Sequence, residues 1–81
     1  MNKKYFKKLS MEDKLGIALT LDPLGARQTN NWNVITYKIN SFYIDLLYDR
    51  KTSDLKEIKS YGKAEFKRLC DGTVYWTNQI N

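Results

Sequence analysis

The fold is decided by residues 32–49, WNVITYKINSFYIDLLYD, in which apolar and polar side chains alternate on either side of Asn40 and Ser41. Asparagine tolerates positive φ, so Asn40-Ser41 suits a two-residue hairpin turn. This turn brings apolar residues together on one face of the hairpin: Ile39 with Phe42, Tyr37 with Ile44, and Ile35 with Leu46. It pairs the residues of the other face as follows: Lys38 with Tyr43, Thr36 with Asp45, Val34 with Leu47, and Trp32 with Asp49. A slip of one residue would destroy this agreement, so the sequence predicts a single register.

The segment after the hairpin predicts a third strand. Residues 49–54, DRKTSD, are typical of a second, longer turn, and Leu55 to Ser60 can return beside the hairpin as an antiparallel strand. A competing interpretation takes Asp54 and Glu57 as the cap of a helix. Gly62 counts against one long helix, because glycine is unfavourable in a helix interior. The sequence therefore predicts a strand that ends near Ser60 and a break at Gly62.

A helix and a final strand are predicted for the rest of the chain. The helix runs from Lys63 to Cys70, stops at Asp71-Gly72, and buries three apolar side chains: Phe66, Leu69 and Cys70. Beyond it, residues 73–80 alternate apolar and polar side chains, which is the pattern of a strand.

Two periodicities compete in the segment from Ser10 to Leu21. Ser10 followed by Asp13 resembles a helix cap, and apolar residues recur at helical spacing. The same segment also alternates Leu15, Ile17, Leu19 and Leu21 in the manner of a strand. The cap favours the helix. Residues 3–9 add a preceding turn or helix, residues 22–25 form a turn, and residues 25–31 are predicted to be a polar connecting loop.

Together these elements predict one α+β domain over residues 1–81. It is a small antiparallel β-meander of three or four strands, with an N-terminal helix and a second helix near the C-terminus. No apolar run approaches the roughly 18 residues needed to cross a bilayer, so no membrane association is expected.

The amino-acid composition indicates the kind of organism and the cellular location from which the chain comes. The chain has 14 Lys and Arg against 9 Asp and Glu, a net charge of +5, and most of the cations are lysine. Such a cation is drawn weakly to nucleic acid or acidic protein surfaces. The Lys-, Asn- and Ile-rich composition is what an AT-rich genome produces, which indicates a low-GC bacterium or one of its phages or plasmids. Cys70 is the single cysteine and cannot form an intramolecular disulfide, which agrees with a cytoplasmic location in that bacterium or its infected host cell.

The side chains that most catalysis and metal binding require are scarce. The chain has no histidine and one cysteine, and its four glycines form no phosphate-binding motif. Asp45, Asp49 and Glu57 are the conceivable ligands of a magnesium ion, but solvated carboxylates are the simpler interpretation. We therefore expect no enzyme, no cofactor and no metal.

One apolar surface stands out in the predicted register. Trp32, Val34 and Leu47 share the face opposite the main core. Either the first helix covers them, or they form a docking patch for a protein partner. The patch would be edged by basic and amide side chains: Arg27, Asn31, Arg50 and Lys51.

The alternative to a protein partner is direct binding of RNA or DNA, which is indicated by lysines interleaved with aromatic residues. Its candidate residues repeat at helical spacing: Lys3, Lys4, Lys7, Lys8, Lys63 and Lys67. Trp32, Tyr43 and Tyr75 offer rings on which bases could stack.

The sequence favours a small non-enzymatic binding protein of phage or plasmid type, a monomer or homodimer. We expect it to act stoichiometrically by occluding a protein partner that handles nucleic acid, such as a host defence or replication enzyme. Direct nucleic-acid binding is the alternative. A small ribonuclease toxin, with Arg50, Lys51 and Tyr48 as its working residues, comes third.

Overall fold

The computed structural model describes the backbone of residues 1–72 and the side chains of residues 1–68. The strand predicted at residues 73–80 and the burial predicted for Leu69 and Cys70 lie outside this range. The elements follow in this order: α1 (Lys3–Lys7), α2 (Met11–Ala18), β1 (Gly25–Gln28), β2 (Trp32–Ile39), β3 (Phe42–Asp49), β4 (Leu55–Gly62) and α3 (Lys63–Gly72). The α+β meander with helices at both ends of the chain is confirmed.

The hairpin of β2 and β3 has the predicted register. Ile39 lies opposite Phe42, Thr36 opposite Asp45, and Trp32 opposite Asp49. Asn40 takes a φ of 50°, the left-handed conformation that the two-residue turn requires. The alternation of residues 32–49 therefore places each side chain on the face that the sequence indicates.

The third predicted strand is also confirmed, and it is longer than expected. It is β4, which pairs antiparallel with β3 and continues to Gly62. The helix alternative for this segment is wrong, because residues from Leu55 onward find strand partners along β3. A register shift between Leu47 and Tyr48 marks a bulge in this pairing. The turn before β4 is held by the Asp49 side chain, which accepts backbone N–H groups from Lys51 and Thr52 at 2.7 and 3.1 Å.

The loop predicted over residues 25–31 is wrong in its first half. Gly25–Gln28 forms β1, a short edge strand that pairs antiparallel with β2 and completes the strand order β1-β2-β3-β4. Without β1, the backbone N–H and C=O groups along one edge of β2 would have no strand partner, and β1 provides it. β1 has the sequence GARQ, with no large apolar side chain. It therefore lacks the apolar alternation that predicts β2 and β3.

The N-terminal segment is helical, as its cap predicts. The Ser10 hydroxyl accepts the Asp13 N–H at 3.1 Å, and α2 follows directly. Glu12 and Asp13 lie in its first turn, where the helix dipole favours anions. A shorter helix, α1, precedes it and is capped in the same way, since the Asn2 side chain accepts the Tyr5 N–H at 2.8 Å.

Both N-terminal helices pack on the apolar face of the hairpin. Phe6 of α1 and Ala18 of α2 are buried in one cluster with the sheet residues Tyr37, Ile39, Phe42, Ile44 and Leu46. The rings of Phe6 and Phe42 lie 5.6 Å apart at a tilt of 57°, a favourable arrangement for aromatic pairs. The first helix therefore does not cover Trp32, Val34 and Leu47, which lie on the other face, and that alternative is wrong.

Helix α3 begins at Lys63, directly after β4, and its first turn lies beside α1. The Glu65 carboxylate accepts the Gly62 N–H at 2.7 Å, which caps the first turn, and it also pairs with the Lys3 ammonium at 3.0 Å. Phe66 is half-buried and stacks on Tyr43, with ring centroids 3.9 Å apart. The predicted break at Gly62 is thus the N-cap of α3. The predicted end is wrong by two residues, because the helix includes Asp71 and Gly72.

Replacing Gly16 with alanine should stabilise the protein. Gly16 lies inside α2, and a Cβ built there meets no atom within 4 Å. Alanine removes the entropy cost of glycine in a helix, so we expect the free energy of unfolding to rise by about 0.5–1 kcal/mol. Urea unfolding measures it. Gly62→Ala is the control: alanine is a poor N-cap, so it should give no gain. An unchanged or lower stability for Gly16→Ala would contradict the helix at this position.

Candidate functional site

A polar cluster built from all four strands lies on the sheet face opposite α1 and α2. Its centre is the Asp45 carboxylate, which is fully buried. Thr36, directly opposite on β2, donates its hydroxyl to Asp45, and the Arg27 guanidinium of β1 pairs with it at 3.1 Å. Tyr61 of β4 adds a further hydrogen bond to the same carboxylate. One residue from each of the three other strands therefore satisfies this buried group.

The chemistry of this cluster is that of a structural ion pair. The pKa of Tyr61 is raised to about 12, first because burial disfavours the phenolate and second because Asp45 lies nearby. Tyr61 therefore keeps its proton at neutral pH. Asp45 has no exposed surface from which to reach a substrate. The cluster of Asp45 and Tyr61 is therefore poorly suited to general acid–base catalysis near neutral pH.

Two of the three carboxylates weighed as magnesium ligands are engaged in other roles, and the third, Glu57, is exposed. Asp45 is held by Arg27 and Thr36, and Asp49 accepts two backbone N–H groups of the β3–β4 turn. Those two hydrogen bonds lower the pKa of Asp49. Among the described side chains, no group of three or more potential ligands comes together to hold a metal ion.

The apolar patch predicted on this face is largely inaccessible. Val34 and Leu47 keep only 3% and 6% of their surface exposed, and Trp32 is half-buried. Of the three apolar members, Trp32 alone contributes appreciable surface. The sequence register places these residues on one face correctly, but it does not reveal how closely the face is covered.

Two of the four residues predicted to edge the patch hold the sheet together through their side chains. Arg27 pairs with Asp45, and the Arg50 guanidinium donates to the carbonyl of Thr29 at 2.9 Å. The Arg50 N–H donates to the carbonyl of Asn31 at 3.1 Å, so the β1–β2 turn is tied to the β3–β4 turn. Lys51 is exposed in that second turn. Asn31 is exposed as well.

The three residues weighed for a ribonuclease do not converge. Tyr48 packs against the core cluster beneath the helices, whereas Arg50 braces the turns and Lys51 extends from the end of the sheet.

The lysines predicted for nucleic-acid binding come together on adjoining elements. Four of them lie on α1 and its C-cap, and two on α3; the bridge from Lys3 to Glu65 brings these helices into contact. The structure adds Lys14 and Lys59, which line a groove with Lys7 where α1 and α2 meet β4. Sequence reasoning missed these two because they share no element with the others.

A second groove, between α1 and α2, was not anticipated. It has a volume of about 420 Å³ and is lined by apolar side chains, Met1, Tyr5, Leu9 and Ile17, with Glu12 and Asp13 beside them. The open space over Gly16 forms part of it. The sequence carries no signal for this groove, because helical periodicity does not show how two short helices sit against each other.

Comparisons of the chain with protein-family models, with curated proteins and with solved structures found no match. Among the described residues, no helix combines the length and the apolar character needed to cross a membrane. The proposals below therefore rest on the geometry of this chain.

Replacing Asp45 with asparagine should weaken the fold strongly. The change keeps the shape of the side chain but leaves Arg27 without its anion in a largely buried position. We expect the free energy of unfolding to fall by about 2–4 kcal/mol in urea titrations. The matched control is Asp54→Asn, the same change in an exposed turn, which should stay within about 0.5 kcal/mol. Equal effects of the two variants would show that the cluster contributes nothing.

The raised pKa of Tyr61 predicts a loss of stability in alkali. The unfolded phenol ionises near its model value of 10.0, whereas the folded protein holds the proton to about 12. The folded state is therefore favoured below pH 10, and this contribution is lost as the pH rises from about 10 to 12. Unfolding free energies measured over this range should fall less steeply in Tyr61→Phe. An unchanged slope in this variant would rule out the assigned pKa.

Proposed function

We propose that the protein is a non-catalytic binding protein that acts stoichiometrically by occluding a protein partner, one that itself handles nucleic acid. The working surface is the groove between α1 and α2, which we call the α1–α2 groove. This surface takes the place of the sheet face around Trp32 as the main docking site, because two of the three apolar side chains there are buried.

The distribution of exposed apolar side chains is the observation that carries the proposal. Of the residues described, the exposed large hydrophobic ones all lie within residues 1–24: Met1, Tyr5, Met11, Leu19 and Leu24. Tyr5 is 55% exposed and Leu19 65%. Two of the five, Met1 and Tyr5, line the α1–α2 groove. Exposed apolar surface of this kind is typical of interaction sites, in which tyrosine and methionine are enriched.

The charge beside the groove favours a particular kind of partner. Glu12 and Asp13 line it next to Tyr5 and Ile17, so an apolar side chain flanked by basic residues would fit. Proteins that handle nucleic acid carry such basic surfaces in order to bind phosphates. By covering the basic surface of its partner, this protein would prevent nucleic acid from binding there. Such inhibition requires no catalysis.

The biological setting that we propose is the cytoplasm of a low-GC bacterium or of its phage-infected cell, with the target a defence or replication enzyme. The lysine-rich composition and the single cysteine support this setting.

The experiment is capture of the partner from the native host with tagged protein, followed by reconstitution from purified components. We expect a saturable complex of fixed stoichiometry and inhibition of the partner that is complete when that stoichiometry is reached. Tyr5→Ala should weaken the complex about tenfold or more, since central aromatic side chains carry much of the binding energy of an interface.

The matched control is Trp32→Ala, an aromatic truncation on the sheet face, which should leave affinity nearly unchanged. Circular dichroism confirms that both variants are folded. A loss with Trp32→Ala and none with Tyr5→Ala would return the docking site to the sheet. Inhibition by far less than one equivalent would contradict a stoichiometric mechanism.

A further inference from the structure

We propose that a second surface of this protein binds the phosphodiester backbone of nucleic acid. It is the groove along β4, lined by Lys7 of α1, Lys14 of α2 and Lys59 of β4, with Glu57, Tyr61 and Glu65 beside them; we call it the β4 groove. This site is separate from the α1–α2 groove and does not depend on the proposed function.

The distribution of charge over the elements favours an anionic ligand. Residues 3–8 carry four lysines and no acidic residue, and residues 63–68 carry three basic residues against Glu65 alone. The β4 groove lies between these two segments. The acidic residues of α2 lie in the α1–α2 groove instead. The two segments beside the groove thus hold seven of the 14 basic residues and only one acidic residue, which favours a ligand with regularly spaced phosphates.

Three different elements supply the lysines that line the β4 groove. Lys14 lies with its ammonium 5.7 Å from the centre of the Phe6 ring, a cation–π contact that limits its motion. Lys59 lies on β4, which the sheet holds in place, and Lys7 lies on α1, which contacts β4. Lys59 lies opposite Asp45 on the sheet face away from the helices, so the groove follows the edge of β4 and is lined by lysines from both sides of the sheet. These elements are already in place, so no chain segment has to be ordered on binding.

The two acidic residues in the groove differ in their effect. The Glu65 carboxylate is neutralised by Lys3 at 3.0 Å and accepts the Gly62 N–H, so it offers little repulsion. Glu57 is exposed and has no such partner among the hydrogen bonds and ion pairs of the described residues. It should oppose a phosphate ligand. Its removal is therefore expected to strengthen binding, an effect that a purely structural role does not produce.

The β4 groove continues toward α3. Since the bridge between Lys3 and Glu65 holds α1 against the first turn of α3, the exposed residues Lys63 and Lys67 extend the positive surface beyond Tyr61. A backbone lying in the groove would meet these lysines next. Recognition through phosphates alone carries no base sequence, so we expect binding without strong sequence preference.

The test is fluorescence anisotropy with labelled oligonucleotides of mixed sequence, single-stranded and double-stranded, at salt concentrations between about 50 and 200 mM. Three phosphate contacts give a slope of log K against log salt of about −2 for a single strand and about −2.7 for a duplex. The two arms distinguish which form supplies the phosphates. For a single strand, this slope corresponds to a loss of about 20-fold in affinity over that range.

Variants assign the binding to the β4 groove. Lys7→Ala and Lys59→Ala should each weaken binding and make the slope shallower by about 0.7 on a single strand. Lys51→Ala, which removes the same charge from the distant β3–β4 turn, is the matched control and should change the affinity by less than about twofold. Glu57→Gln should increase affinity. All four variants should retain capture through the α1–α2 groove, so failure here leaves the proposed function standing.

Three results would overturn the proposal. The first is the lack of salt-sensitive binding to either oligonucleotide at about 50 mM salt. The second is an equal loss of affinity in Lys51→Ala and Lys59→Ala, which would indicate a general effect of net charge. The third is that polyglutamate displaces the labelled oligonucleotide as effectively as unlabelled oligonucleotide does, which would assign the surface to acidic proteins. Unfolding curves for each variant confirm that the fold is retained.

Discussion

The buried carboxylate of Asp45 is the constraint on which the sheet depends. A charge taken out of water costs several kcal/mol unless hydrogen bonds and an opposite charge compensate it. Here Thr36, Arg27 and Tyr61 supply them from three other strands. A slip of one residue between β2 and β3 would turn Asp45 into the apolar core beneath the helices and remove all three partners. The cluster thus fixes strand order and register together, which apolar packing alone specifies less sharply.

This arrangement decides which surfaces remain for function. One sheet face is covered by α1 and α2, and on the other Val34 and Leu47 are buried around the polar cluster. Arg27 and Arg50, two of the cations predicted to edge that face, are engaged within the sheet. The exposed apolar side chains lie on the helical layer, and lysines from several elements surround the edge strand β4. Binding surfaces are therefore to be sought outside the sheet, although the sheet positions them.

The sequence predicted what depends on local pattern. The register of residues 32–49 followed from their alternation, and the Ser10 cap identified α2. β1 was missed because a short polar edge strand owes its existence to the neighbour with which it pairs. With β1 taken as a loop, Arg27 had no position beside Asp45, although the pairing of Thr36 with Asp45 was already evident. The two grooves depend on how helices sit on a sheet, and no spacing along the chain contains that information.

The most direct measurement is the exposure of individual methyl groups in solution, by NMR with a soluble paramagnetic probe that broadens signals near the protein surface. Leu47 is 6% exposed and Leu19 65%, and they carry the same side chain. We expect strong broadening of the Leu19 and Leu24 methyl signals and little of those of Leu47 and Val34. If the Leu47 and Val34 signals broaden as strongly as those of Leu19, the sheet face is open, and the assignment of the docking site to the helical layer is wrong.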